Sequence, residues 1–544
     1  MTLARGVLNS TPEDRGGYGK MRPGARIEEK VLNLTEAARF IRVSEKTLRE
    51  MARARRLPCQ KVGREWRFLL RGLEDWLAGA RPVPELAGPT EVYRQATLFT
   101  RAETTDDEET GPGFGDTSFT KNRREPLHRW VPWIAGFSAA FVEEVLNSIG
   151  HKHPREITVL DPFAGVGTTL VEAMKRGYNV VGFEINPYAA LACEVKLSCV
   201  QHSLSPLTNA IKDLESLRRA PSLRDKQPLS KPPRNFQTKT AFFSLPIERQ
   251  VLLVRDFIAN QTNSFVGKIL NVALGAVMVG FSNYSYEPSL STRAAAGKHD
   301  IDQADVLRVL SDKLWEIEAD ISFLQRHMKR FQHKPSARVY RRSYLEATCE
   351  LSPSSVDLLV TSPPYLNNYH YVRNTRPQLY WLGLAGGNGD LKKLEEQSFG
   401  RFWQTVRGGP TVELAFELPE LQEVLERIRH RNPEKGAYGG TGWAKYATTY
   451  FNDCDRFFKA TRPVMKRGRI VVVVIGNNIV QGIHVETDRF LAQIAELHGF
   501  RVQRMHRVRS KRTGSSIVNS SVRAGIAHKP TELYETAVEL RAPE

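Results

Sequence analysis

Cysteine is scarce in this chain: Cys59, Cys193, Cys199, Cys349 and Cys454 are the only five among 544 residues. Five scattered thiols make no disulfide framework, which excludes a stapled secreted domain and fits a reducing compartment. Cys193, Cys199 and His202 stand close together but not at the spacing of a zinc site, so they are read as packing residues and no metal is expected. Long apolar runs are lacking too. The longest, Ile269 to Phe281, is interrupted by Asn271 and is too short to cross a bilayer; it predicts a buried helix and no membrane association. The opening stretch MTLARGVLNSTPEDRGG has no apolar segment before a cleavage site, so no secretory signal is expected and a cytoplasmic location is. Acidic residues are in deficit, with 60 Asp and Glu against 78 Lys and Arg, a formal net charge of +18. That excess favours a polyanionic partner, because Lys and Arg gain by displacing counterions from phosphates.

What is present is ordinary globular material, 41% hydrophobic and 25% charged. Residues 1–28 are polar and rich in Gly, Pro and Arg, which predicts a disordered N-terminus. A compact unit follows over 29–79. Residues 80–116 read as a linker, with PVPELAGP and an acidic, Gly-rich run. Periodic structure then fills 117–544, interrupted by two insertions at about 200–335 and 385–445. The first becomes largely helical; the second is charged and rich in Gly.

The unit at 29–79 reads as two short helices, a hairpin and a third helix. Leu34, Ala37, Ala38 and Ile41 make one apolar stripe, and Ser44 is a suitable N-cap for the second helix. The other face of that helix carries Lys46, Arg49 and Arg53, while Lys61, Arg64 and Arg67 alternate along the hairpin. TEAARFIRVSEKTL with KVGREWRF resembles the excisionase-like, winged helix-turn-helix domains. The resemblance implies DNA binding through Lys46, Arg49, Arg53 and Arg64; a helical adaptor that binds protein is the alternative. Pro58-Cys59-Gln60 matches a tripeptide that carries a nucleophilic cysteine elsewhere, but it lies in the turn into the hairpin and is assigned to packing.

In the larger part, ITVLDP, NVVGFEI, VDLLV and RIVVVVIG read as strands buried on both faces, with helical patterns between them. This order implies an α/β domain, doubly wound around a mostly parallel sheet. The first strand runs into DPFAGVGTT, where Gly165 and Gly167 allow close approach of a ligand before a helix begins at Thr168. The second strand delivers Glu184, a carboxylate suited to both hydroxyls of a ribose. A third delivers Ser362-Pro363-Pro364-Tyr365 at its C-terminal end, where two prolines stiffen the turn and hold one hydroxyl and one carbonyl in place.

DPFAGVGTT with GFEINP closely resembles the cofactor motifs of amino-group DNA methyltransferases, and PLHRWVPWIAGFS resembles their remaining cofactor motif. The resemblance implies a Rossmann-like domain that binds S-adenosylmethionine, through Asp161, Phe163, Gly165, Gly167, Thr168 and Glu184, with Trp133 and Phe137 as walls. TSPPY resembles the catalytic motif of cytosine-N4 enzymes; adenine-N6 enzymes more often place Asp or Asn where Ser362 stands. The implied reaction is methyl transfer to the exocyclic amine of a base flipped out of double-stranded DNA, with Ser362 and Pro363 accepting from the amine and Tyr365 stacking on the base. A cognate restriction or defence protein is the further partner implied. One departure stands out: ARVYRRSYLE carries Arg341 and Arg342 where the family often has an acidic residue for the adenine ring. Adenine-N6 methylation, a regulator with a degenerate transferase fold, and an RNA methyltransferase stay open as alternatives. Either insertion is a candidate for target recognition. Near the end, RMHRVRSKRTGSS places Arg507 and Arg509 among basic residues expected to meet phosphates.

Overall fold

The computed structural model describes residues 31–41, 43–53, 59–62, 65–70, 73, 122–133, 136, 138–149, 154–286, 290–346, 350–366, 370–512 and 532–544. The segments 1–28 and 80–116, together with Arg64 and Phe137, lie outside the described residues. The chain divides into two compact units, one within residues 1–90 and one within 91–544.

In the first unit, β1 (Val31–Leu32), α1 (Leu34–Ile41), α2 (Glu45–Arg53), β2 (Gln60–Val62) and β3 (Glu65–Leu69) follow one another. Reciprocal side-chain capping starts α1: Asn33 Oδ1 accepts from the Glu36 amide at 2.9 Å, and Glu36 Oε2 accepts from the Asn33 amide at 2.8 Å. Ser44 caps α2 by accepting from the Thr47 amide at 3.1 Å. Leu32, Ala37, Ala38, Leu48, Ala52, Phe68 and Leu73 form the core. The strands make an antiparallel sheet in the order β1-β3-β2. Lys46, Arg49 and Arg53 recur at helical spacing along α2, and Arg49 is exposed. Cys59 is half-buried, with its thiol near the Ala52 carbonyl.

The second unit is a mixed α/β structure around one seven-stranded sheet. Its strands are β4 (Thr158–Asp161), β5 (Asn179–Phe183), β8 (Ala337–Tyr340), β9 (Val356–Thr361), β10 (Met465–Gly476), β13 (Arg501–Arg512) and β14 (Glu532–Arg541). Two short hairpins, β6 (Tyr284–Tyr286) with β7 (Leu290–Thr292) and β11 (Asn478–Val480) with β12 (Ile483–Val485), stand outside the sheet. The order is β13-β14-β10-β9-β4-β5-β8, and β14 alone opposes the other six. Successive side chains of a strand point to opposite faces, and both faces are covered. Leu358, Val360, Val472 and Val474 join one core; Leu359, Val471, Val473 and Ile475 join the other. This is why the strands read as unbroken apolar runs.

The helices of the second unit, in chain order, are α3 (Ala139–Ile149), α4 (Thr168–Lys175), α5 (Pro187–Ser198), α6 (Ser205–Arg219), α7 (Leu245–Ala259), α8 (Ser264–Val277), α9 (Val306–Met328), α10 (Tyr371–Trp381), α11 (Asn388–Gln397), α12 (Trp403–Val406), α13 (Pro419–Arg429), α14 (Gly440–Val464) and α15 (Thr487–Leu497). The expected buried helix at 269–281 is α8 with a 3-10 extension, and its apolar side chains sit in the protein core. The insertion at 200–335 is consumed by that same core, through Leu214, Val251, Ile269 and Leu314. Its Asp320 is buried and takes four donors: Arg129 Nη2 at 2.6 Å, Arg129 Nε at 3.1 Å, Trp130 Nε1 at 3.0 Å and the Leu127 amide at 2.8 Å. That anchor fixes the 3-10 turn (His128–Trp130) that leads to Trp133. The insertion at 385–445, read only as charged and Gly-rich, instead folds into α11–α13 and the start of α14. Gly440 and Gly442 serve close packing, since a Cβ on them would strike the carbonyls of Ile428 and Ala437.

Candidate active site

The chain winds from β4 through β5 to β8 on one side of the sheet, then returns to place β9 and β10 on the other. The order therefore reverses between β4 and β9, and a crevice opens beyond their C-terminal ends. Both turns singled out in the sequence emerge there. A cavity of about 1170 Å3, its open mouth included, is lined by Trp133, Asp161, Phe163, Gly165, Thr168 and Glu184 from the first group and by Ser362 and Pro364 from the second.

Asp161 ties the two turns together. It is buried, accepts from the Phe163 amide at 3.0 Å, and accepts from the Thr361 hydroxyl at 2.6 Å. Burial pushes its carboxyl up to about 6, against the pull of these donors. Thr169 Oγ1 adds a second tie, to the Val360 carbonyl at 3.4 Å. The glycines earn their places sterically. Gly165 has φ +53° and Gly167 φ +88°, both in the left-handed region. A Cβ on Gly165 would lie 3.2 Å from Trp133 Nε1, and one on Gly167 would lie 2.8 Å from Cys193 Sγ. Gly167 thus backs the turn rather than lining the cleft, and Cys193 is its packing partner. His202 likewise packs, stacked on Phe265 with centroids 3.8 Å apart.

Glu184 follows β5 and is half-buried. Its Oε2 accepts from the Gly165 amide at 2.9 Å and its Oε1 from the Asn186 amide at 2.7 Å. Burial raises its carboxyl to about 7, the amides oppose this, and Asp161 adds to it. Trp133 faces Tyr371 across the cleft, stacked at 6.4 Å. Phe163 meets Phe399 edge-on at 5.0 Å.

Of the residues in the Ser-Pro-Pro-Tyr turn, Ser362 and Pro364 line the cavity, Pro363 is buried, and Tyr365 does not line it. The Tyr365 ring lies against Gly476, where an added Cβ would sit 3.2 Å from it, and its hydroxyl hydrogen-bonds Ser362. Tyr450 donates to the Pro364 carbonyl at 3.0 Å and steadies the turn. Arg342 lines the cleft with its guanidinium held by Glu350 Oε1 at 2.8 Å and the Glu346 carbonyl at 3.3 Å, while Arg341 pairs with Glu194 at 2.6 Å. Arg507 is exposed over the Tyr534 ring at 4.2 Å, and Arg509 is half-buried 3.9 Å from Glu535.

Several cleft residues carried no sequence signal. Lys196 is fully buried on α5 and donates to the Val166 carbonyl at 2.9 Å, bracing the glycine turn; burial lowers its ammonium to about 7. Leu394, Gln397, Ser398, Phe399 and Phe402 cover the cleft from the second insertion. His370 lines it too, its ring 3.8 Å from Phe402, and burial lowers it to about 4, so it is neutral. Only Lys196 was open to discovery: a lysine within the apolar pattern ALACEVKLSCV.

Residues 31–81 match the family described as helix-turn-helix domain, and residues 90–194 match the N6/N4-type family described as DNA methylase. The latter range holds Trp133, the glycine turn and Glu184. Type II methyltransferase M.BsoBI of Geobacillus stearothermophilus is 24% identical over 440 residues, covering 73% of this chain and 83% of its own. Type II methyltransferase M.AvaI of Nostoc sp. is 23% identical, covering 71% and 82%. Type II methyltransferase M.MvaI of Kocuria varians is 24% identical, covering 69% and 82%. The chain resembles the amino-group DNA methyltransferases of type II systems and carries an N-terminal helix-turn-helix domain.

Proposed function

We propose that this protein transfers a methyl group from S-adenosylmethionine to an exocyclic amine of a base flipped out of duplex DNA, and that the base is cytosine, modified at N4. The observation that carries the proposal is the shared cleft: the glycine turn and the Ser-Pro-Pro turn line it together, joined by the bond between Asp161 and Thr361.

The residues of the cleft fit the cofactor. The missing Cβ at Gly165 leaves room beside Trp133, and the half-exposed Glu184 carboxylate, preset by two backbone amides, suits a ribose diol. Phe183, Ile185 and Tyr344 offer apolar walls for a purine, and Ser343 a hydroxyl beside them. When bound, S-adenosylmethionine supplies an electrophilic methyl group on a sulfonium. The chain's part is orientation and electrostatics. An aromatic amine is a weak nucleophile because its lone pair is delocalised. The Ser362 hydroxyl oxygen and the Pro363 carbonyl accept from its two N–H groups, favour a tetrahedral nitrogen, and aim the lone pair into the cleft. Tyr365 holds the Ser362 hydroxyl in this account. The proton left on nitrogen passes to solvent. Ser362 in place of Asp or Asn is what favours cytosine over adenine. The helix-turn-helix unit adds a second hold on the DNA through α2.

Sequencing that maps modified bases in DNA exposed to the protein and cofactor tests the proposal. Cytosines modified in a fixed context are expected. Modified adenines would move the target to adenine N6, and cofactor binding without any modified base would favour the regulator.

A further inference from the structure

We infer that the insertion at 385–445, and not the one at 200–335, is the surface that reads the DNA around the extruded base, with Arg407 and Tyr438 as contact residues. The inference rests on the transferase reading above and extends it to target recognition.

The two insertions differ in their relation to the cleft. Among the described residues, none between 200 and 335 lines the cavity, and their apolar side chains are spent in the core of the sheet. The segment 394–402 lines it and ends on Phe402. The next residue begins a different structure. Trp403 stacks on Trp443 at 4.8 Å and meets Tyr438 edge-on at 5.8 Å. Arg407 lies over both neighbours, its guanidinium carbon 4.5 Å from the Trp403 centroid and 4.0 Å from that of Tyr438. Tyr438 is 58% exposed, a large ring left in water.

A guanidinium over aromatic rings is held by cation–π attraction, which does not use its N–H edges. Among the described residues Arg407 forms no ion pair, and its guanidinium meets the two rings. Such an edge matches the paired acceptors of guanine or the oxygens of a phosphate. Arg401, exposed at the cleft with φ +49°, adds another cation. An aromatic cluster that carries an exposed ring and an arginine, directly following the cleft-lining segment, is a combination that nucleic-acid contacts use.

The test uses the full-length protein with amplified, unmodified genomic DNA as substrate. Arg407→Ala and Tyr438→Ala are expected to lower kcat/KM for DNA about ten- to a hundredfold. Modified bases should also spread beyond the wild-type context, with cofactor Kd unchanged. Arg407→Lys should recover only part of the loss, since an ammonium cannot offer a planar edge. Lys212→Ala and Lys239→Ala, exposed cations of the other insertion, should leave both readouts alone. Wild-type efficiency and context in both Arg407→Ala and Tyr438→Ala would overturn the inference, as would context changes confined to the Lys212 and Lys239 variants. Wild-type protein that transfers no methyl, yet loses DNA affinity on these two substitutions in an anisotropy titration, would overturn the transferase reading and keep this one.

Discussion

The Thr361 hydroxyl donates to Asp161 Oδ1 across 2.6 Å, joining the last residue of β9 to the last residue of β4. Two strands far apart in sequence thereby hold their following turns at one fixed separation. Thr361→Val removes the donor and leaves a buried carboxylate oxygen short of a partner, a loss of about 1–3 kcal/mol. Its expected signature is weaker cofactor binding together with slower turnover, and Thr361→Ser should restore both. Calorimetry and single-turnover kinetics check this; a Thr361→Val protein equal to wild type in both would show that the tie positions nothing.

The two turns divide the labour. Gly165→Val places a branched side chain at φ +53°, against the indole of Trp133, and should abolish cofactor binding. Ser362→Ala leaves the cofactor wall intact and removes one acceptor for the amine, so kcat should fall about a hundredfold or more while cofactor Kd holds. Tyr365→Phe separates two roles for that residue. It keeps the ring packed on Gly476 and loses the hydroxyl bonded to Ser362, so a fall in kcat like that of Ser362→Ala would point to positioning. Equilibrium dialysis with single-turnover assays reads all three.

The raised carboxyls make a pH prediction. A ribose diol donates to ionised Glu184, so binding favours the deprotonated form, and the free protein must lose a proton wherever Glu184, at about 7, is still protonated. Cofactor affinity should rise with pH through about 7 and level off above it, with proton release seen as buffer-dependent heat. Folding has the opposite sign. A carboxyl raised in the folded state stabilises it fully below the ordinary carboxylate range. That contribution is lost as pH rises through about 6 for Asp161 and about 7 for Glu184. Glu184→Gln should flatten the affinity profile, and an affinity that falls with pH would contradict the role given to this residue.

Removing residues 1–110 should weaken DNA association and reduce its salt dependence, since fewer phosphates are then neutralised, while methyl transfer persists. Filter binding across a salt series measures it. Loss of cofactor binding in the truncated protein would show that the second unit needs the first.

Much of this was legible in the sequence, for physical reasons that also mark where legibility stops. Strands covered on both faces must be apolar throughout, so β4, β5, β9 and β10 announced themselves. Gly165 and Gly167 stood out because left-handed backbone next to a buried strand leaves few other residues a place. Ser44 as a cap was readable because capping is local. The roof of the cleft was not: QSFGRFW has no periodicity, and only the fold brings Phe399 onto Phe163 and Phe402 onto His370. Asp320 looked like one more charge on an amphipathic helix, although four donors bury it. The start of α14 hid behind Gly439, Gly440 and Gly442, residues that ordinarily argue against a helix and here permit backbone contact with the preceding turn. Arg509 was expected to meet phosphates; its neighbour Glu535, 3.9 Å away through the pairing of β13 with β14, was not visible in the sequence.

The most direct measurement is mass spectrometry of nucleosides from duplex DNA incubated with the protein and S-adenosylmethionine carrying a trideuterated methyl group. The account predicts a trideuterated methyl on the exocyclic nitrogen of cytosine, with that product nearly gone in Ser362→Ala and its cofactor binding preserved. Label on ring carbon, or undiminished amino-group label in Ser362→Ala, would contradict it.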